Sequence, residues 1–316
     1  MFNRYWREYP WFLQLVLFGL MTFVFISFFF AFAYYTVPMI TDSSITEALN
    51  VSKQSSPQKL SVFIWLQGVS SIFSFILPAI LFANQTHPDK AEYLGLKKLQ
   101  RPVQLLWSIL LMLGAYPIFI EIAALLKEMK ALGDNTQGAK QIEEATEAIL
   151  NMNGTGELLR ALLVMAVIPA LGEELFFRGV LMRLLHLQSK RIGLAVIVTA
   201  AMFAAIHGTP YNFLSIFLAG IFLCIIYIQT GSLWCSIAAH CVYNGSQVIW
   251  AYMANKDAAM KALSDANHLP IVVILAGTAV FALSAYMLWK NRTPLPADWS
   301  DNFRNEEPEV SNSESI

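Results

Sequence analysis

Charge is scarce in this chain. Of 316 residues only 14% are Asp, Glu, Lys or Arg, against about a quarter in an ordinary soluble domain. The 21 basic and 22 acidic residues nearly cancel, for a formal net charge of −1. Without a basic excess there is no electrostatic hold on a polyanion, so nucleic acid is excluded as a partner. Cysteine is equally thin. Cys224, Cys235 and Cys241 are odd in number, fall in apolar runs and lack C-x-x-C spacing, so they read as core fillers. There is no H-E-x-x-H zinc-protease helix and no G-x-S-x-G elbow. A serine mechanism would have to use Ser215, Ser236 or Ser246, and nothing around them in the sequence points to it. No internal repeat is visible, so an inverted-repeat transporter has no support.

Apolar residues are what the chain has. They make up 56% of it, and the mean hydropathy is +0.52. They are grouped into runs, and a spanning helix needs about 20 mostly apolar residues. Eight stretches qualify in whole or part: 11–37, 62–83, 103–126, 158–187, 192–207, 213–229, 233–253 and 271–289. The runs are continuous and do not alternate, and hydrocarbon leaves the backbone no other way to bond than a helix or closed barrel. The expected fold class is therefore all-α: a polytopic membrane bundle of about eight transmembrane helices, in contact with membrane lipids. The first run follows Arg4 and Arg7 and contains Ala31-Phe32-Ala33. Its core of about 20 residues exceeds the 7–15 of a signal peptide, so it reads as an uncleaved anchor.

Lys and Arg in the short flanks set the orientation. With the N-terminus inside, the cytoplasmic segments carry Arg4, Arg7, Lys90, Lys97, Lys98, Arg101, Arg183, Lys190, Arg191, Lys290 and Arg292. The outer ones carry Lys53, Lys59, Lys127, Lys130, Lys140, Lys256 and Lys261, mostly in longer loops. Both termini are expected in the cytoplasm. The chain divides into 1–157, with three spans and an acidic outer loop; 158–253, the core; 254–292, a final span; and 293–316, a polar acidic tail expected to be disordered. Within the loop Ile142, Ala145, Ile149 and Met152 recur at helical spacing, which suggests a short amphipathic helix. Its simplest reading is a solvated connector.

Ionisable groups inside spans are costly and usually functional. In the fourth span Glu174 and Arg178 stand at i, i+4 and can pair. Glu173 then faces elsewhere, without a local partner, and an unpaired buried carboxylate is expensive. Pro169 cannot donate to the carbonyl of Met165, and Gly172 lets another backbone approach closely. His207 ends the fifth span. His240 and Asn244 share one face of the seventh. His87, His186 and His268 are assigned nothing, and Glu121 reads as an interface residue. A Glu, two His and an Asn suggest hydrolysis: the carboxylate beside His207 holds and deprotonates water, and His240 and Asn244 donate to the oxyanion. Alternatively Glu173, His207 and His240 bind zinc with water in the open position.

Glu173-Glu174-x-x-x-Arg178, Phe203-x-x-x-His207 and His240-x-x-x-Asn244 resemble, in that order, the three motifs of the CAAX protease and bacteriocin-processing (CPBP, or Abi) family. These are intramembrane endopeptidases related to the type II CAAX prenyl endopeptidase. The resemblance covers about a third of the chain and implies that Glu173 and His207 activate water. It further implies that His240 and Asn244 complete the site and that Glu174 and Arg178 support it. Members are described both as metalloproteases and as metal-free glutamate enzymes, so a zinc cofactor stays open. The implied partner is a peptide or protein substrate, prenylated or bacteriocin-like. Other readings are a non-catalytic membrane immunity or scaffold protein and a proton-coupled transporter. One geometric demand follows. In upright helices His207 and His240 would differ in depth by roughly 20 Å. Either the turn near Gly208-Thr209-Pro210 dips into the protein, with Thr209 and Pro210 as N-cap and N1 of the sixth helix, or these helices tilt strongly.

Overall fold

A computed structural model describes residues 6–41, 43–129, 137–207, 212–266 and 268–300. Among these the regular structure is helical throughout. The main helices are α1 (Trp11–Thr41), α2 (Pro57–Thr86), α3 (Val103–Glu128), α4 (Gln137–Leu150), α5 (155–189), α6 (Ile192–Ala205), α7 (Phe213–Thr230), α8 (Leu233–Ala254) and α9 (Ile271–Lys290). Each of the eight expected runs is a helix. α1, α2, α3, α7 and α9 are long and apolar enough to cross a membrane, and α6 is a shorter apolar helix. α5 and α8 carry the polar residues discussed below. Exposed apolar side chains such as Phe23, Met39, Ile271 and Leu275 clothe α1 and α9, as contact with lipid requires.

Two prolines shape the interior. Pro78 in α2 and Pro169 in α5 each follow a five-residue π-helical turn, Ile72–Ile76 and Leu163–Val167. A wider i→i+5 turn helps absorb the missing proline N–H. The two irregular regions meet at Gly172. A Cβ there would lie 3.0 Å from Ile76 Cγ1 and 3.1 Å from Phe75 Cβ, so only glycine fits without displacing α2. A third π-helical stretch, Glu174–Leu181, follows at once. α3 and α9 pack still more closely, since a Cβ on Gly114 would sit 2.5 Å from the backbone nitrogen of Phe281.

One end of the bundle is tightly tied. Leu233 N–H donates to the Gly95 carbonyl, Ser232 Oγ to the Lys97 carbonyl, and Thr293 N–H to the Gln229 carbonyl. The expected disordered tail does not begin at 293. Leu295 N–H bonds the Ile228 carbonyl, Arg183 donates to the Trp299 carbonyl, and the His186 ring lies on Trp299. Burying Trp299 and tying the strap's backbone to residues 228–229 offsets the entropy of ordering it; residues 301–316 lie outside the described residues. The amphipathic helix exists as α4, but it is no solvated connector. Ala148, Ile149 and, just beyond, Met152 are buried against α2, α5 and α8. Gly208, Thr209 and Pro210 lie outside the described residues. α7 starts at Phe213 with Asn212 before it, so its described start does not use Thr209 and Pro210 as cap and first residue.

Candidate active site

A cavity of about 1000 Å³ lies between α2, α3, α4, α5, α7 and α8. Glu173, His207, His240 and Asn244 all line it, with Phe203 among them. Phe63, Gln67, Met112 and Tyr116 supply further wall, so the segments before 158 help build the cavity.

The depth problem is resolved by a short helix. α6 ends at Ala205, and the His207 ring folds back so that its Nδ1 bonds the Phe203 carbonyl at 2.8 Å. Phe203 stands between the histidines, its ring centroid 4.8 Å from that of His207 and 5.8 Å from that of His240. Upright, full-length helices are what the depth estimate had assumed, and α6 is not one. The carbonyl that takes the Nδ1 proton is one of the orphans at a helix C-terminus. The bond leaves Nε2 of His207 as the free ring nitrogen.

Glu174 is the hub. Its Oε1 accepts from Arg178 Nη1 at 2.7 Å and from His240 Nδ1 at 2.9 Å, and its Oε2 accepts from Ser236 Oγ at 2.5 Å. The i, i+4 pair with Arg178 is present, and both side chains are wholly buried. Arg178 is compensated further by the Gly220 carbonyl at 2.9 Å and by the Phe203 face at 4.7 Å, as a buried guanidinium needs. Neither Ser236 nor Gly220 was singled out by the sequence. Ser236 could have been, because it precedes His240 by four residues, as His240 precedes Asn244. Its hydroxyl has one proton and two acceptors within reach, Glu174 and the Leu223 carbonyl at 3.1 Å. Ser215 and Ser246 donate to backbone carbonyls.

Glu173 stands apart. Its side chain is 10% exposed, its Oε2 has no hydrogen-bond partner, and His240 Nε2 lies 3.8 Å away. That gap is too long for a direct hydrogen bond. Asn244 does not bond His240. Its Nδ2 donates to the Met165 carbonyl at 3.3 Å, the carbonyl that Pro169 cannot serve. The proline thus creates the acceptor that anchors the asparagine, and one Nδ2 proton and Oδ1 remain for the cavity. Zinc finds no assembled ligand set, for among the described residues no three His, Cys, Asp or Glu side chains converge as metal ligands do.

Compared with known proteins, residues 155–246 match the family model of the type II CAAX prenyl endopeptidase, Rce1-like. No curated protein and no solved structure matches the chain. The matched segment runs from the start of α5 into α8 and contains the hub, the short helix with His207, and the His240–Asn244 face. Over that segment the chain is similar to the Rce1-like type II CAAX prenyl endopeptidase family, within an all-helical protein that has several helices long and apolar enough to cross a membrane.

Proposed function

We propose that the protein is an intramembrane endopeptidase that hydrolyses a peptide bond of a membrane-associated protein or peptide, with Glu173 as the general base. The observation that carries this reading is the unpartnered, buried Oε2 of Glu173 facing His240 Nε2 across 3.8 Å inside the cavity. A water seated by Glu173 and the free Nε2 of His207 donates one proton to each. Glu173 removes a proton as the water oxygen attacks the scissile carbonyl. The oxyanion forms beside His240 and the remaining N–H of Asn244. His240 keeps its Nδ1–H hydrogen-bonded to Glu174 Oε1, and in the doubly protonated ring Nε2–H donates to that oxyanion. Collapse of the intermediate breaks the C–N bond, and Glu173 returns its proton to the leaving amine. The cavity is at the upper end of the usual range for small-molecule sites, which leaves room for a peptide segment.

The test compares purified wild type with Glu173→Gln on a quenched-fluorescence library of apolar peptides. Loss of a general base costs typically 10²–10⁴ in rate, and the fold should be unaffected because Oε2 holds nothing. Equal cleavage by both proteins overturns the assignment, whereas a non-catalytic scaffold would show no cleavage by either. Exhaustive chelation should leave turnover intact. Loss that zinc restores would transfer the water to a metal.

A further inference from the structure

The two ends of the bundle differ in charge and in closure. At one end Lys97, Lys98 and Arg101 follow α2, Lys190 and Arg191 form the two-residue turn between α5 and α6, and Lys290 and Arg292 end α9. These cations lie close to helix ends, where positive residues mark the cytoplasmic side. At the other end Lys53 and Lys127 are paired with Glu147 and Glu143.

Among the described residues, the cavity opens at the second end. Gly138, Gln141 and Ile142 of α4 line it and are themselves exposed. No lining residue comes from the basic end. There the way inward is closed by Tyr93, Leu94, Leu233 and Trp299, all buried in one apolar cluster, over which the strap at 293–300 is tied to Arg183 and His186.

We infer that the substrate is presented from the non-cytoplasmic face of the membrane, past α4, so that its class is a peptide segment exposed outside the cytoplasm and not a cytoplasmic tail. The inference rests on the endopeptidase reading and adds a direction to it. Glu173 is reached past α4, and the strap, anchored by the buried Trp299, closes the opposite side.

Three variants, each adding one cysteine to the native three, test this in spheroplasts with a membrane-impermeant maleimide: Lys98→Cys at the basic end, Ala259→Cys at the opposite end and Gln141→Cys at the mouth. The native cysteines are buried or half-buried. Expected is labelling of Ala259→Cys and Gln141→Cys on intact spheroplasts, and of Lys98→Cys only after permeabilisation. Labelling Gln141→Cys with a bulky maleimide should reduce cleavage of the peptide library at least tenfold in detergent. The reverse labelling pattern overturns the direction, and labelled Gln141→Cys with full turnover overturns the mouth. A failed endopeptidase reading is recognised separately, as wild type and Glu173→Gln giving the same signal in detergent. In that case the substrate claim falls even if the labelling pattern holds.

Discussion

Two histidines in this protein each stand between two glutamates, and the two arrangements differ in nearly everything else. His268 bonds Glu121 through Nδ1 at 2.6 Å and Glu128 through Nε2 at 2.9 Å. His240 bonds Glu174 through Nδ1 at 2.9 Å, but its Nε2 stops 3.8 Å short of Glu173. The first is a closed clasp at the bundle surface, with the His268 side chain 39% exposed. The second is buried, 4% exposed at His240 and 0% at Glu174, and open on one side. The same three residue types therefore do different work. Where water screens the charges, the set joins His268 and Leu269 to α3 and leaves neither ring nitrogen unused. Where water is excluded, every charge needs a partner, and the one oxygen left without one marks where chemistry can occur.

If burial is what separates the clusters, breaking the buried one should be far more damaging. Arg178→Ala leaves Glu174 without its cation and should cost about 3–5 kcal/mol, read as a large fall in thermal midpoint and folded yield in detergent. Unchanged stability would place the buried set in the same class as the surface clasp. Ser236→Ala removes one neutral donor to a buried carboxylate and should cost about 1.5–3 kcal/mol. It should also perturb the pH profile of turnover, because Glu174 sets the His240 tautomer. A stability loss with an unaltered profile would make Ser236 a packing residue alone.

How much of this was legible beforehand follows from what kind of interaction each feature uses. The eight helices were readable because hydrocarbon demands long apolar runs, and those are written locally. The Glu174–Arg178 pair was readable because i, i+4 is local too. Glu174 as the bridge to His240 was not, since it depends on how α5 and α8 face each other. Nor was the Asn244–Met165 bond, although Pro169 announced a free carbonyl at Met165. The depth conflict between His207 and His240 came from treating the fifth run as an upright, full-length span, and α6, with 14 residues, is shorter than one. The start of the tail, 293–300, was misread because the acidic composition of the whole outweighed Trp299, a single aromatic that, with Leu295 and the strap's backbone bonds, anchors eight residues.

The smallest effect is expected at the clasp. His268→Gln should leave the thermal midpoint near that of wild type at neutral pH, as for most exposed ion pairs. Its signature is the direction of the pH dependence. Hydrogen bonding to Glu121, then to Glu128, raises the His268 pKa above its ordinary value. A folded-state pKa above the unfolded one means that the contribution is fully present below about 6.5, the unfolded value, while both carboxylates stay ionised. It fades as the pH climbs through the raised folded value. The midpoint difference between wild type and His268→Gln should thus be largest in mild acid and vanish in alkali, and added salt should shrink it. A difference that grows with rising pH would mean that the ring is held neutral between its two glutamates, and the contrast with His240 would then no longer rest on burial.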